Sequence, residues 1–154
     1  MEEVLEEVVV DHPPEVVFDF FTQPHRVLGV SDPSVGATLI SGPKRLTEGS
    51  EVELKLVAFG MPQTIRNRVS EFDAPSRFVE QQADGPLTSY DHEHRFEPSG
   101  TGTKVVDAIR FEPPGGLAGL ILSGEKIADQ LADSIAYRNR ALPAALDAFV
   151  AEQS

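Results

Sequence analysis

Hydrophobic and polar positions alternate most regularly between residues 90 and 111, where one choice of strand pairing satisfies both faces of a hairpin. In Tyr90-Asp91-His92-Glu93-His94-Arg95-Phe96, the period of two puts Tyr90, His92, His94 and Phe96 on one side and the charges on the other. Lys104 to Glu112 alternates in the same way. With Ser99-Gly100-Thr101-Gly102 as the turn, Glu97 faces Lys104 and Asp91 faces Arg110 outside, while Phe96 faces Val105 and Tyr90 faces Phe111 inside. His94 then lies opposite Asp107. A slip of one residue would lose both charge pairs and turn the inner set outward, so the pattern selects this register. Two imidazoles and a carboxylate on an otherwise apolar face predict a lined cavity.

The same reading extends along the chain. Val4 to Val10 is β-branched and predicts a strand. Asp11-His12-Pro13-Pro14 stops it and starts a short helix with Val16, Val17, Phe20 and Phe21 at helical spacing. Gln23-Pro24 breaks that helix, His25 to Val30 adds another turn or two, and Ser31-Asp32-Pro33 is a loop. Gly36 to Ser41 predicts a short strand. Val52, Leu54 and Leu56 alternate with Glu51, Glu53 and Lys55 before a turn at Phe59-Gly60-Met61-Pro62. In the register expected here Glu53 faces Arg68, Leu56 meets Ile65 and Val52 meets Val69, with Asn67 pointing inward beside Leu54. Asp73-Ala74-Pro75-Ser76 turns the chain into a strand over Arg77 to Ala83, whose inward face stays open because Phe78 and Val79 are adjacent.

Pro113-Pro114-Gly115-Gly116 ends the last strand. Leu117, Leu120, Gly124, Ala128, Leu131, Ile135, Leu142, Leu146 and Phe149 then follow steps of three, four or seven, an apolar stripe on one closing helix of roughly thirty residues. Pro143 should kink or interrupt that helix late. Glu125, Asp129 and Asp133 repeat every four residues and form a solvated face. Hairpin-linked strands build an antiparallel sheet, and a helix with such a stripe must lie on it. The small residues Gly119, Gly124, Ala128 and Ala132 allow close approach there while leaving gaps elsewhere.

A chain of 154 residues suits one domain with a proper core. Its 13 basic and 25 acidic residues give a formal charge of -12 with no basic cluster, which argues against a nucleic-acid partner. The absence of cysteine excludes disulfides, thiolate zinc sites and thiol nucleophiles. The start, Met1-Glu2-Glu3-Val4, has neither the basic nor the apolar segment of a signal peptide, and no apolar run approaches the ~20 residues of a membrane span. The expectation is a cytoplasmic protein without integral membrane association; a homodimer stays open.

The ordered set of Pro13-Pro14-Glu15-Val16-Val17-Phe18-Asp19-Phe20-Phe21, Gly85-Pro86, Tyr90-x-His92-x-His94-x-Phe96, Gly102-Thr103-x-Val105-x-Asp107, Pro113-Pro114-Gly115-Gly116 and Tyr137-Arg138 resembles the START-like (SRPBCC) superfamily, the polyketide cyclase/dehydrase and lipid-transport proteins. The likeness spans essentially the whole chain, residues 1–154. It implies an α+β helix-grip fold, a curved seven-stranded antiparallel sheet wrapped around a long C-terminal helix, enclosing a pocket for hydrophobic or amphipathic small molecules. It does not decide chemistry, because fold does not settle function.

Among catalytic candidates, His94 beside Asp107 comes first, since a carboxylate fixes an imidazole's tautomer and raises its basicity. In an enzyme of the cyclase or dehydrase kind, His94 would move a proton while Tyr90, Asn67 or Arg138 holds an oxygen. The commoner fate of such a pair is a satisfied polar contact in a sheet. His92-x-His94 with Asp107 has a spacing that could share a metal, but the glutamate and glycines of a cupin metal signature are missing, and neither a metal nor another cofactor is expected. Arg138 continues the helix stripe between Ile135 and Leu142, so it either points inward or snorkels out. Phe18, Phe20, Phe21, Phe59, Phe72 and Phe96 supply mainly core. Expected ligand contacts are Tyr90, His92, Asn67, Phe96, Leu54, Leu56, Ile109 and Phe111 from strands, with Leu131, Ile135 and Arg138 from the helix. The reading is a carrier or sensor of a hydrophobic or amphipathic small molecule; the alternatives are the enzyme above and a protein-interaction module using the same cup.

Overall fold

The structure, a computed structural model, describes residues 1–58 and 60–153. Strand β1 (Glu2–Val10) leads into helices α1 (Pro14–Phe21) and α2 (Pro24–Leu28), then a single 3-10 turn (Pro33–Val35). Strands β2 (Thr38–Ser41), β3 (Glu51–Ala58), β4 (Met61–Asp73), β5 (Arg77–Asp84), β6 (Ser89–Ser99) and β7 (Gly102–Glu112) follow, and α3 (Gly116–Ile121) and α4 (Gly124–Glu152) close the chain. The seven strands form one sheet in the order β1-β7-β6-β5-β4-β3-β2, with every neighbouring pair antiparallel. The helical connection after β1 carries the chain to the far edge of the sheet, and the hairpins then walk back until β7 pairs with β1. Pro14 opens α1 and Pro24 opens α2, each in the first turn, where a missing N–H costs nothing.

The β6–β7 hairpin has the expected register: Glu97 pairs with Lys104, Phe96 with Val105, His94 with Asp107, Asp91 with Arg110 and Tyr90 with Phe111. The β3–β4 register is two residues away from expectation. Glu51 pairs with Arg68, Glu53 with Arg66, Val52 with Asn67 and Leu54 with Ile65. The cause is the turn. Met61 and Pro62 already belong to β4, and Ala58 pairs with Met61, so only residues 59 and 60 connect the strands; Gly60 has φ +76°. Phe59 itself lies outside the described residues. A shift of two preserves which face each side chain takes, so Leu54, Leu56 and Asn67 still point inward.

The open face of β5 is decided by a bulge. Val69 pairs with Glu80 but Glu71 pairs with Val79, so Ser70 is an extra residue in β4. Beyond it Phe72 pairs with Phe78, whose rings meet at 6.5 Å, and Phe78, Glu80 and Gln82 form the inner face.

The stripe expected on a single helix is split. Leu117, Leu120 and Ile121 on α3 are 81, 82 and 72 % exposed, and the backbone leaves the helix at Leu122 and Ser123. Ser123 then caps α4, its hydroxyl accepting from the Lys126 N–H at 3.2 Å, which explains why the long helix starts here rather than at Leu117. From Ile135 the stripe is as expected, with Ile135, Leu142, Leu146 and Phe149 buried and Glu125, Asp129 and Asp133 exposed; Arg138 is buried with them, and in the first turns the buried residue is Ile127, outside the expected stripe, while Ala128 and Leu131 are half-buried. Pro143, on the exposed side, does not interrupt α4, which runs on to Glu152. No helix among the described residues is long and apolar enough to cross a membrane.

Two apolar clusters pack part of the space between helices and sheet. The larger gathers Val10, Val17, Phe18, Phe20, Phe21, Val52, Val69, Phe78, Phe96, Val105, Leu142, Leu146 and Phe149; the smaller gathers Val4, Ile109, Phe111, Ile127 and Ile135. Phe18 meets the rings of Phe72, Phe78 and Phe96 edge-on at 5.3 to 5.9 Å, so α1 is pinned to the sheet by aromatic contacts.

Gly102 makes the approach between the β7 start and the end of β1 possible, because a Cβ there would sit 2.1 Å from the Val10 carbonyl oxygen. Gly102→Ala should therefore destabilise the fold by about 1–3 kcal/mol, measured by denaturant unfolding; an unchanged midpoint would contradict this packing.

Candidate functional site

Between the two apolar clusters lies a polar belt. On β7, Asp107 separates Val105 of the larger cluster from Ile109 of the smaller one; on α4, Arg138 separates Leu142 from Ile135. On β6, His94 and His92 separate Phe96 from Tyr90. Strand and helix periodicities thus bring one acid, one guanidinium and two imidazoles to the same level of the interior.

Asp107 is fully buried, and Arg138 is its principal partner: Nη1 donates to Oδ1 at 3.0 Å and Nη2 to Oδ2. Nη2 also donates to Asn139 Oδ1 at 2.7 Å, and the guanidinium lies over the Phe21 ring at 4.8 Å. Arg138 therefore takes the inward of its two expected orientations. His92 Nε2 lies 2.8 Å from Asp107 Oδ1, and His92 Nδ1 lies 3.2 Å from the Tyr90 hydroxyl. His94 Nε2 lies 3.0 Å from Glu80 Oε1, while its Nδ1, at 3.5 Å from Asp107 Oδ1, makes no hydrogen bond. Phe78, His94 and His92 stack in sequence, with ring centroids 4.3 and 3.8 Å apart.

This geometry fixes the protons. Burial alone would push the Asp107 carboxyl up, but hydrogen bonding with His92 and Arg138 and the nearby His94 hold it well below the usual carboxylate range. An ionised Asp107 needs a donor from His92, so Nε2 carries the proton, Nδ1 is a lone pair, and the Tyr90 hydroxyl must donate to it. Burial and the neighbouring His94 push the His92 pKa down, in agreement with a neutral ring. His94 is the opposite case: burial lowers its pKa, yet the carboxylates of Asp107 and Glu80 together raise it above the ordinary value. Burial raises the Glu80 carboxyl, while hydrogen bonding to His94 together with the electrostatic attraction of His94 and His92 more than reverses this and leaves it lowered. Burial raises the Tyr90 hydroxyl, keeping it protonated.

One ligand atom each from His92, His94 and Asp107 lies within 4.8 Å of the others. Both Asp107 oxygens accept from Arg138 and one also meets His92, so in this arrangement the three side chains belong to an ion-pair network; a cation on Asp107 would compete with a guanidinium.

Two chambers adjoin the belt. The inner one, about 310 Å³, runs from Phe21, Val27 and Leu28 past Val52, Leu54 and Leu56 to Glu80, His92, His94, Ile135 and Arg138. The outer one, about 230 Å³, is lined by Leu54, Leu56, Val57, Ile65, Asn67, Gln82, Leu87, Gln130 and others. Val35, Leu54, Leu56, Tyr90, Leu131 and Ser134 border both, so the chambers are contiguous. Of the expected contact residues, Tyr90, His92, His94, Asn67, Leu54, Leu56, Leu131, Ile135 and Arg138 line this space. Asp107 does not, because Arg138 and His92 cover it. Phe96, Ile109 and Phe111 sit in the packed clusters.

Glu80 was not expected. Its side chain is 22 % exposed against 0 % for Asp107, so Glu80 rather than Asp107 is the carboxylate the chamber meets. The signal existed: Phe78 and Glu80 share parity, and choosing Phe78 as the inward residue would have placed Glu80 beside the histidines.

Titration separates the members of the ionised network. In a nitrogen-detected NMR titration His94 should protonate above the ordinary imidazole value and His92 below it; the reverse order would refute the proton assignment. Asp107 and Glu80 have folded pKa values below their ordinary 3.8 and 4.5, so their contribution to stability is complete above those values and is lost as pH falls through the folded ones. Thermal unfolding should show this acid limb, and Asp107→Asn should flatten it; an unchanged slope would contradict the carboxylate's role.

The sequence matches the family model described as polyketide cyclase / dehydrase and lipid transport over residues 1–146. Solved structures with the same fold include TTHA0849 from Thermus thermophilus, at a TM-score of 0.78 and 19% identity, covering 96% of this chain and 98% of that one. Protein Ms6760 from Mycobacterium smegmatis aligns at a TM-score of 0.71 and 16% identity over 95% of this chain and 91% of that one. Ginseng major latex-like protein 151 from Panax ginseng aligns at 0.64 and 16% over 91% and 96%. No curated protein matches the sequence. With the family match spanning nearly the whole chain and the helix-grip architecture in place, the chain belongs to the polyketide cyclase/dehydrase and lipid-transport family.

Proposed function

We propose that this protein binds a hydrophobic or amphipathic small molecule in the paired chambers between α4 and the sheet, as a carrier or sensor. One observation carries the reading: the chamber walls are largely aliphatic, while the ionic groups beside them are paired with one another. Buried charges satisfied in this way stay put when an apolar body enters, and the pocket has the dimensions and lining of small-molecule sites. The family's ligand-binding members are in keeping with this use.

An acid-base enzyme is the second reading, and its support is narrower. A general base must reach the reacting atom, and Asp107 is sealed behind Arg138 and His92. What remains for chemistry is the Glu80–His94 pair, whose raised imidazole pKa and contact with the inner chamber suit proton transfer.

Binding is tested with N-phenyl-1-naphthylamine, whose fluorescence rises in an apolar site. The expected result is saturable binding to the native protein and at least about tenfold weaker binding to Leu131→Trp, which fills the wall shared by both chambers, with unchanged circular dichroism. No binding, or equal binding to a folded Leu131→Trp, would overturn the proposal.

A further inference from the structure

The polar groups that the inner chamber leaves uncommitted are mostly acceptors. Glu80 uses Oε1 on His94, and Oε2 has no protein donor among the described residues. The Tyr90 hydroxyl gives its proton to His92 Nδ1 and turns only lone pairs to the space it borders. On the outer chamber wall Asn67 Oδ1 is as occluded as Arg138 Nε, and the amides of Asn67 and Gln130 can donate there, so the acceptor excess belongs to the inner chamber. Glu80 and Tyr90 come from the neighbouring strands β5 and β6, and so line one wall.

Most donors of the inner chamber are already used. Both terminal nitrogens of Arg138 go to Asp107 and Asn139, and its Nε is occluded. The Gln82 amide donates to the Leu87 carbonyl and accepts from the Leu87 N–H. Asp32, also bordering the inner chamber, adds a second carboxylate, which accepts from Ser34. Ser134 can serve either way. A carboxylate placed beside Glu80 would meet like charge with Ser134 as the one uncommitted donor of that chamber, whereas a hydroxyl or an ammonium would satisfy acceptors that are otherwise unpaired.

We propose that the physiological ligand is an apolar molecule whose polar end donates hydrogen bonds, a hydroxyl or an amine, and that Glu80 is the residue selecting it over carboxylate-headed molecules. This rests on the cavity-binding reading above and specifies its ligand class. The Tyr90 oxygen gives a second acceptor along the same wall, so a ligand with donors at two points is favoured over one with a single polar end.

The test displaces N-phenyl-1-naphthylamine from the native protein with decylamine, decan-1-ol and decanoate, which share one tail. Decylamine and decan-1-ol should each compete at least about tenfold better than decanoate. Glu80→Gln, which offers an amide donor in the same place, should shrink the decylamine-to-decanoate ratio by about tenfold. Decanoate competing as well as the amine and the alcohol on native protein would overturn the selectivity while leaving cavity binding intact. Failure of the dye itself to bind would overturn both. A ratio unchanged in folded Glu80→Gln would remove Glu80 from the selection, and should that variant not fold, the series on native protein decides.

Discussion

The ion pair of Asp107 and Arg138 is the constraint around which the interior is arranged. A fully buried carboxylate has lost its hydration, and only a fixed guanidinium with additional donors can replace it. Because β7 supplies the acid and α4 the base, satisfying this one charge sets both the depth and the rotation of the long helix on the sheet. Ile135 and Leu142, a step of three or four away on the same helix, then fall into separate apolar clusters on either side of the pair. Replacing such a pair by apolar residues is often neutral or stabilising, so its presence is better understood as specifying an arrangement than as adding stability.

What the pair does not complete, its neighbours do. Asp107 still accepts from His92, which fixes the His92 tautomer and in turn commits the Tyr90 proton. His94, pressed between Phe78 and His92, is left to bridge toward Glu80 at the chamber wall. The electrostatic consequence is a gradient. The most deeply buried charge is the most fully paired, and the carboxylate at the wall retains free acceptor capacity. The apolar residues opposite, Leu54, Leu56 and Leu131, do not fill the space between α4 and the β3–β4 hairpin, so room for a ligand remains beside the belt.

The sequence was legible where two independent patterns had to agree. The β6–β7 register follows from matching charges outside and apolar groups inside, and it brought His94 to Asp107 and Tyr90 to Phe111. Where only one pattern is present, the sequence leaves the arrangement open. The β3–β4 hairpin has the right faces in the wrong register, because alternation reports parity and the length of the turn decides the rest. The apolar spacing of Leu117 and Leu120 looked continuous with α4, but periodicity cannot see the cap at Ser123 that restarts the helix. The place of Glu80 stays open in the sequence because Phe78 and Val79 are adjacent and allow either parity; the pairing of Phe72 with Phe78 beyond the bulge at Ser70 decides it. Arg138 could not be phased from its helix alone; its partner on β7 decides its direction.

The most direct test of this account is a double-mutant cycle on Asp107→Asn and Arg138→Leu, read by denaturant unfolding. Each single variant strands a buried polar group, so each should cost about 3–5 kcal/mol, and the double variant should recover a large part of the sum, giving a coupling of about 2–3 kcal/mol. Costs that simply add, to within about 0.5 kcal/mol, would show that the pair does not organise the interior.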